Sequence, residues 1–167
     1  GENLVGMAGA LLGYAESTQQ GSLRHLAAFV RRRADDVLVI DRASLANLEV
    51  ERSVDGGRRG SLVAVLDHSL TRMGARLLHE WLVRPSIDLE EIGERHRAVA
   101  EMVDDGPLLE GIRAALDGLP DLERLAGRVG LGQVAPRELA TLRDGLDLLP
   151  QLGAAVGHAS SPRLGGL

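Results

Sequence analysis

The sequence predicts a mainly α fold, a multi-helix bundle with at most one small β ribbon, and three observations point to it. Apolar residues make up 44% of the chain but aromatic ones only 2%, so the core must be built from Leu, Val, Ile and Ala. That supply suits helices better than a sandwich or barrel. Apolar positions recur three and four residues apart in segment after segment, most of them opened by a residue able to cap a helix. Only Val37-Leu38-Val39-Ile40 reads as a β-branched run, with Phe29-Val30 as its expected partner.

Taken in order, Leu4, Ala8, Leu11, Leu12 and Ala15 form the first helical pattern. Gly6, Gly9 and Gly13 each weaken an isolated helix by about 1 kcal/mol. Gly9 and Gly13 stand one turn apart, which suits either a closely packed neighbour or simply a weak helix. After the β-branched run, Asp41 is an expected N-cap, with Leu45 and Leu48 facing inward on the helix that follows. Gly56-Gly57-Arg58-Arg59-Gly60 reads as a turn or exposed loop. Ser61 caps a short helix carrying Leu62, Val65 and Leu66, and Thr71 caps one with Met73, Leu77, Trp81 and Leu82 on one face. Arg84-Pro85 ends that helix, because the residue before a proline avoids helical geometry.

Asp88 and Glu91 have capping-box spacing, with Ile92, His96, Val99 and Val103 as the expected stripe. Gly106-Pro107 stops this helix and starts another with Leu109, Ile112 and Leu116 inward. Asp121 caps a helix bearing Leu122, Leu125 and Val129. Pro136 fits the first position of the last clear helix, where its missing N–H costs nothing. Leu139, Leu142, Leu146 and Leu149 form a seam for a partner helix. Past Pro150, through Ser160-Ser161-Pro162, the pattern weakens and fraying is expected. The sum is roughly seven helices joined by short loops, with residues 1–154 as the domain and 155–167 as a weakly patterned tail.

Composition excludes several chemistries. There is no cysteine, hence no disulfide and no thiolate zinc site. All 19 basic residues are arginine, so neither a Schiff-base lysine nor a P-loop is possible. The formal net charge of −5 argues against a domain whose main task is gripping phosphates. The longest apolar stretch, Leu4 to Ala15, is too short to span a bilayer and lacks the basic start of a signal peptide. No membrane contact and a cytoplasmic location are therefore expected. The start at Gly1-Glu2-Asn3, without an initiator Met, suggests an excised or processed fragment.

Several motifs tempt a functional reading. Gly130-Leu131-Gly132-Gln133-Val134-Ala135 fits G-x-G-x-x-A, but it follows a helical pattern rather than a strand, and a helix stop explains it better. Asp67-His68-Ser69 holds the residue types of a hydrolase triad, yet neighbouring residues on a helix point in different directions. His79-Glu80 begins H-E-x-x-H, but Val83 stands where the second His belongs. His25, His96 and His158 are scattered, and His96 is expected as a core histidine. The pairs Glu90-Glu91 and Asp104-Asp105 read as solvated surface. No catalytic, cofactor-binding or metal-binding residue is assigned. Arg31-Arg32-Arg33 and Arg58-Arg59 are the two basic clusters. The second precedes a helix start, so Arg58 and Arg59 are candidates for weak phosphate contact.

Several segments, in order, resemble one known family. They are Ala8-Gly9-Ala10-Leu11-Leu12-Gly13-Tyr14 with Glu16-Ser17-Thr18-Gln19, then Val39-Ile40-Asp41 leading to Asn47-Leu48-Glu49. Gly60-Ser61-Leu62 through Leu66-Asp67, followed by Thr71 to Leu78, Trp81-Leu82 and Arg84-Pro85, is the most specific stretch. Asp121 to Leu125 and Pro136-Arg137-Glu138-Leu139 complete the order. From about Leu4 to Leu152 the chain resembles the core, or third, domain of the MutS DNA mismatch-repair ATPases. It departs from the pattern at Ala135, where the family often has Ser, and from Ala155 onward.

The resemblance implies a parent protein that dimerises, clasps mismatched duplex DNA and hydrolyses ATP with Mg through a separate domain. This piece would contain neither the mismatch reader nor the ATPase and would need no cofactor of its own. Its implied role is mechanical: it couples the clamp and levers to the ATPase through contacts with other domains of the same chain. Asp41, Asn47, Gly74, Trp81 and Pro136 are expected to be structural: helix ends, a close helix approach at Gly74, and one large anchor at Trp81. Two rivals are a stand-alone interaction domain using the Leu139–Leu149 seam and a small helical enzyme, for which no residues converge.

Overall fold

The structure, a computed structural model, describes residues 2–18 and 37–165. His25, Phe29-Val30 and Arg31-Arg32-Arg33 lie outside the described residues. Nine helices are found among those described: α1 (Glu2–Thr18), α2 (Arg42–Asn47), α3 (Leu62–Leu66), α4 (Arg72–Val83), α5 (Leu89–Asp104), α6 (Gly106–Leu116), α7 (Leu122–Gly130), α8 (Pro136–Val156) and α9 (Pro162–Gly165). The β-branched run makes only an isolated antiparallel bridge, Val37 with Ser86, extended by the Leu38 N–H donating to the Pro85 carbonyl at 2.8 Å. The fold is mainly α.

Helix starts follow local chemistry. Asp41 accepts the Ala43 and Ser44 N–H groups, each at 2.9 Å. Ser61 accepts from Ala64, Thr71 from Gly74, Asp88 from Glu90 and Glu91, and Asp121 from Arg124. Asp105, read from the sequence as solvated surface, is exposed and also caps α6 through Leu108. Each satisfies an N–H that has no partner inside the helix. Ala135, with no acceptor on its side chain, precedes Pro136 at the start of α8. Glu138 reaches back to the Ala135 N–H at 2.9 Å, so only half of a capping box is present. The Asp88–Glu91 box is also altered. Ser86 accepts the Asp88 N–H and donates its own hydroxyl to Glu91 at 2.5 Å, so the hydroxyl stands between the two.

The best-packed region lies where α6 and α7 meet α8. Ile112 and Ala115 of α6, Leu125 of α7 and Val156 of α8 are buried there. Gly145, also buried, makes the packing possible. A Cβ at that position would lie 2.5 Å from Pro120 Cγ and 2.6 Å from Leu122 Cδ2. The region before α5 is thinner. Val50 and Val63 are its buried apolar residues, joined by a backbone hydrogen bond of 3.0 Å, and α4 buries none of its residues.

Several expected faces are corrected. On α5 the buried residue is Ala98, with Glu91, Arg95 and Met102 half-buried beside it, while His96, Val99 and Val103 face solvent. The inner side is thus one residue away from the apolar stripe, and it holds charges because each has a partner. Leu48 is 65% exposed, since α2 stops at Asn47 and Glu49 turns the chain at φ 50°, which sends Val50 inward instead. Val63, not its neighbours Leu62, Val65 and Leu66, is the buried residue of α3. Gly74 does not serve a helix approach: a Cβ there would meet Thr71 Oγ1 at 3.1 Å, so the glycine accommodates its own cap. A Cβ on Gly9 or Gly13 would meet nothing within 4 Å among the described residues. Past Pro150 the described chain is helical and packed rather than irregular. The helix α8 continues to Val156, Ser161 is buried, and α9 lies against α5.

Candidate functional site

The tempting motifs resolve into structural turns. The glycines at 130 and 132 end α7: Gly132 takes φ +66°, its N–H donates to the Val129 carbonyl, and the Gln133 N–H donates to Arg128. Those two bonds are the Schellman arrangement of a helix C-terminus, not a phosphate cradle. Asp67 pairs with Arg58 at 2.6 Å, and hydrogen bonds from Ser69, then Arg58, hold its carboxyl below the ordinary range. His68 points into solvent and completes no relay. His79 pairs with Glu51 at 2.7 Å. No cluster of metal-ligating side chains is present among the described residues.

What the fold brings together is a set of charged ties between helices. Arg76 on α4 donates to both oxygens of Asp121, the cap of α7, at 2.6 and 2.9 Å, and to Glu123 at 2.6 Å. This two-pronged geometry suits the planar guanidinium and fixes orientation as well as distance. The Arg76 hydrogen bonds pull the Asp121 carboxyl down to about 2, and Asp121 and Glu123 push Arg76 further up. Asp121 therefore serves twice: it starts α7 and anchors α4 to it.

A second tie joins α4 to α5. The Arg95 guanidinium lies over the Trp81 ring, 3.9 Å from its centroid, and donates to Glu91 at 2.6 Å. Glu91 also accepts from Ser86, and this bond, before that of Arg95, lowers its pKa. Trp81 thus anchors through a cation as well as through apolar area. Arg95 contacts an aromatic face and a carboxylate together, which explains a charge on the inner side of α5.

Between these ties and the glycine turn is an open groove of about 770 Å³ lined by Glu51, Arg52, Arg58, Val63, Arg76 and His79, among others. Of its basic lining residues, Arg58, Arg76 and His79 each already hold an acidic partner. Arg58 and Arg59 lie at the surface of the turn. Asn47 is exposed at the end of α2. The roles of Arg76 and Gly145 have no local sequence signal, because the partner of Arg76 lies 45 residues away and the need for glycine at 145 appears only against Pro120.

Residues 43–166 match the family model described as MutS domain III. The chain is also similar to the DNA mismatch repair protein MutS of Symbiobacterium thermophilum, 44% identical over 158 residues, which is 94% of this chain but 18% of that protein. The chain thus spans less than a fifth of that relative. No described helix is long and apolar enough to cross a membrane. Matched over most of its length, and helical with the caps and turns described above, the chain belongs to the MutS family.

Proposed function

We propose that this chain is the coupling core of a DNA mismatch-repair ATPase, a mechanical element that links a DNA clamp and its levers to a separate ATPase domain and performs no catalysis itself. The observation that carries this reading is the match of residues 43–166 to MutS domain III, and the two-pronged bond from Arg76 to Asp121, which fastens helices far apart in sequence, supports it. Packed elements joined in this way can transmit a change at one end to the other. The sequence has no lysine, so this chain cannot itself carry a P-loop, which is in keeping with a separate ATPase domain. In this reading the parent is a cytoplasmic homodimer that acts on mismatched duplex DNA with ATP and Mg, and residues 1–154 form the first segment of its core.

The test is the reading frame on both sides of the chain. A downstream lever-and-clamp stretch followed by a lysine-containing P-loop is expected. A stop codon soon after Leu167 with no ATPase would instead favour a stand-alone interaction domain. The exposure of Leu139, Leu146 and Leu149, at 46%, 50% and 39%, supports that second reading.

Direct phosphate contact by Arg58 and Arg59 is a separate element of the proposal. Because Asp67 already holds Arg58, the double variant Arg58→Ala/Arg59→Ala should lose only a few-fold in duplex affinity, and only at low salt. Equal affinity of variant and parent at low salt would remove the loop from the DNA-binding surface.

A further inference from the structure

The last turn of the chain is fastened to α5 by side chains more than by an apolar core. Glu101 accepts the N–H of Ser160 at 2.5 Å and that of Ser161 at 2.8 Å. Arg163 reaches back to Glu91 at 3.5 Å and to Glu94 at 3.4 Å. These side chains are 34%, 35% and 43% exposed, and ion pairs so open to water contribute little. The apolar share is modest, with Leu164 only half-buried.

The same contact carries its own counterweight. Two buried side-chain atoms among the described residues have no hydrogen-bond partner: Arg95 Nε and Ser161 Oγ. Ser161 belongs to this contact, whereas Arg95 belongs to the tie between α4 and α5. Ser161 is 7% exposed, so seating the segment removes its hydroxyl from water without providing a replacement bond. Arg95 contacts the same Glu91 that Arg163 approaches. The segment is thus held by one carboxylate and two open ion pairs, and opposed by an unsatisfied hydroxyl.

We infer that residues 159–165 form a latch on α5, closed by Glu101 and Arg163 and loosened by the buried hydroxyl of Ser161. Glu101 and Arg163 are positioning residues: they decide whether the segment after α8 follows α5 or leaves it. What the latch transmits rests on the coupling role proposed above, but its opening is a property of this segment and needs neither nucleotide nor DNA.

The experiment is amide hydrogen exchange on the full-length parent protein, without ligands, comparing it with Ser161→Ala and Glu101→Ala. Removing the unsatisfied hydroxyl should slow exchange at residues 160–165, and removing the carboxylate should speed it, each by about tenfold. Amides of α6 and α8 should not change. The latch is overturned if Ser161→Ala leaves exchange unchanged or faster, or if Glu101→Ala does not speed it. Exchange that behaves as expected while DNA fails to affect ATP hydrolysis would count against the coupling role and not against the latch.

Discussion

The helices after residue 105 and those before it are held together in different ways. Between α6, α7 and α8, buried Ile112, Ala115, Leu125 and Val156 pack aliphatically, and Gly145 lets Pro120 and Leu122 rest on α8. Between α2, α3 and α4 the buried apolar residues are Val50 and Val63, and the joints to the rest are charged: Arg76 to Asp121 and Glu123, and Arg95 between Trp81 and Glu91. Apolar packing is close to a jigsaw and tolerates little displacement. Charged ties are directional and can exchange partners. With one Trp and hardly any other aromatic residue, the chain buries more of its aliphatic side chains in the later helices and joins the earlier ones to them with arginine.

The sharpest way to break this contrast is at Gly145. Gly145→Ala places a Cβ 2.5 Å from Pro120 Cγ and should destabilise the protein by about 3 kcal/mol, through overpacking that the ring cannot relieve. Urea unfolding measures it, and a loss below about 0.5 kcal/mol would mean that this region is not closely packed.

The next effect belongs to the charged joint. Asp121→Ala removes both a cap and the anchor of Arg76, and the cap alone contributes about 1 kcal/mol. The sign of its pH dependence follows from the depressed pKa. Asp121 titrates near 2 in the folded state and near 3.8 when unperturbed, so its contribution is complete above about pH 4 and disappears as pH falls toward 2. Acid titration of stability should show that loss in the parent and a smaller one in Asp121→Ala; identical acid profiles would remove the tie from the account.

The smallest effect has the opposite sign. Ala135 has the extended geometry of an N-cap, with φ −81° and ψ 153°, but no acceptor. Ala135→Ser should complete the half-built capping box and stabilise α8 by about 1 kcal/mol in thermal unfolding. No gain would show that the helix start is already satisfied in another way.

Helix starts were legible because caps act within three residues. Asp41, Ser61, Thr71, Asp88 and Asp121 all accept the N–H groups that spacing alone would assign them. Inner faces were less legible. On α5 the stripe of Ile92, His96, Val99 and Val103 competes with the adjacent line of Glu91, Arg95, Ala98 and Met102. The second faces inward because Trp81, Ser86 and Arg163 meet its charges. Such partners lie outside any helical window, and so does Asp121 for Arg76. The order of motifs from Asp41 to Pro136 carried the family, whereas the ties proposed to give it mechanical use emerge only when the helices meet.

The most direct measurement of the coupling role is ATP hydrolysis by the full-length parent protein carrying Arg76→Gln, with and without mismatched duplex DNA. The substitution cuts the tie between α4 and α7 while leaving Asp121 free to cap. Hydrolysis without DNA should be unchanged, and the response to mismatched DNA should fall several-fold. An undiminished response, with the variant folded and dimeric, would contradict a mechanical role for this joint.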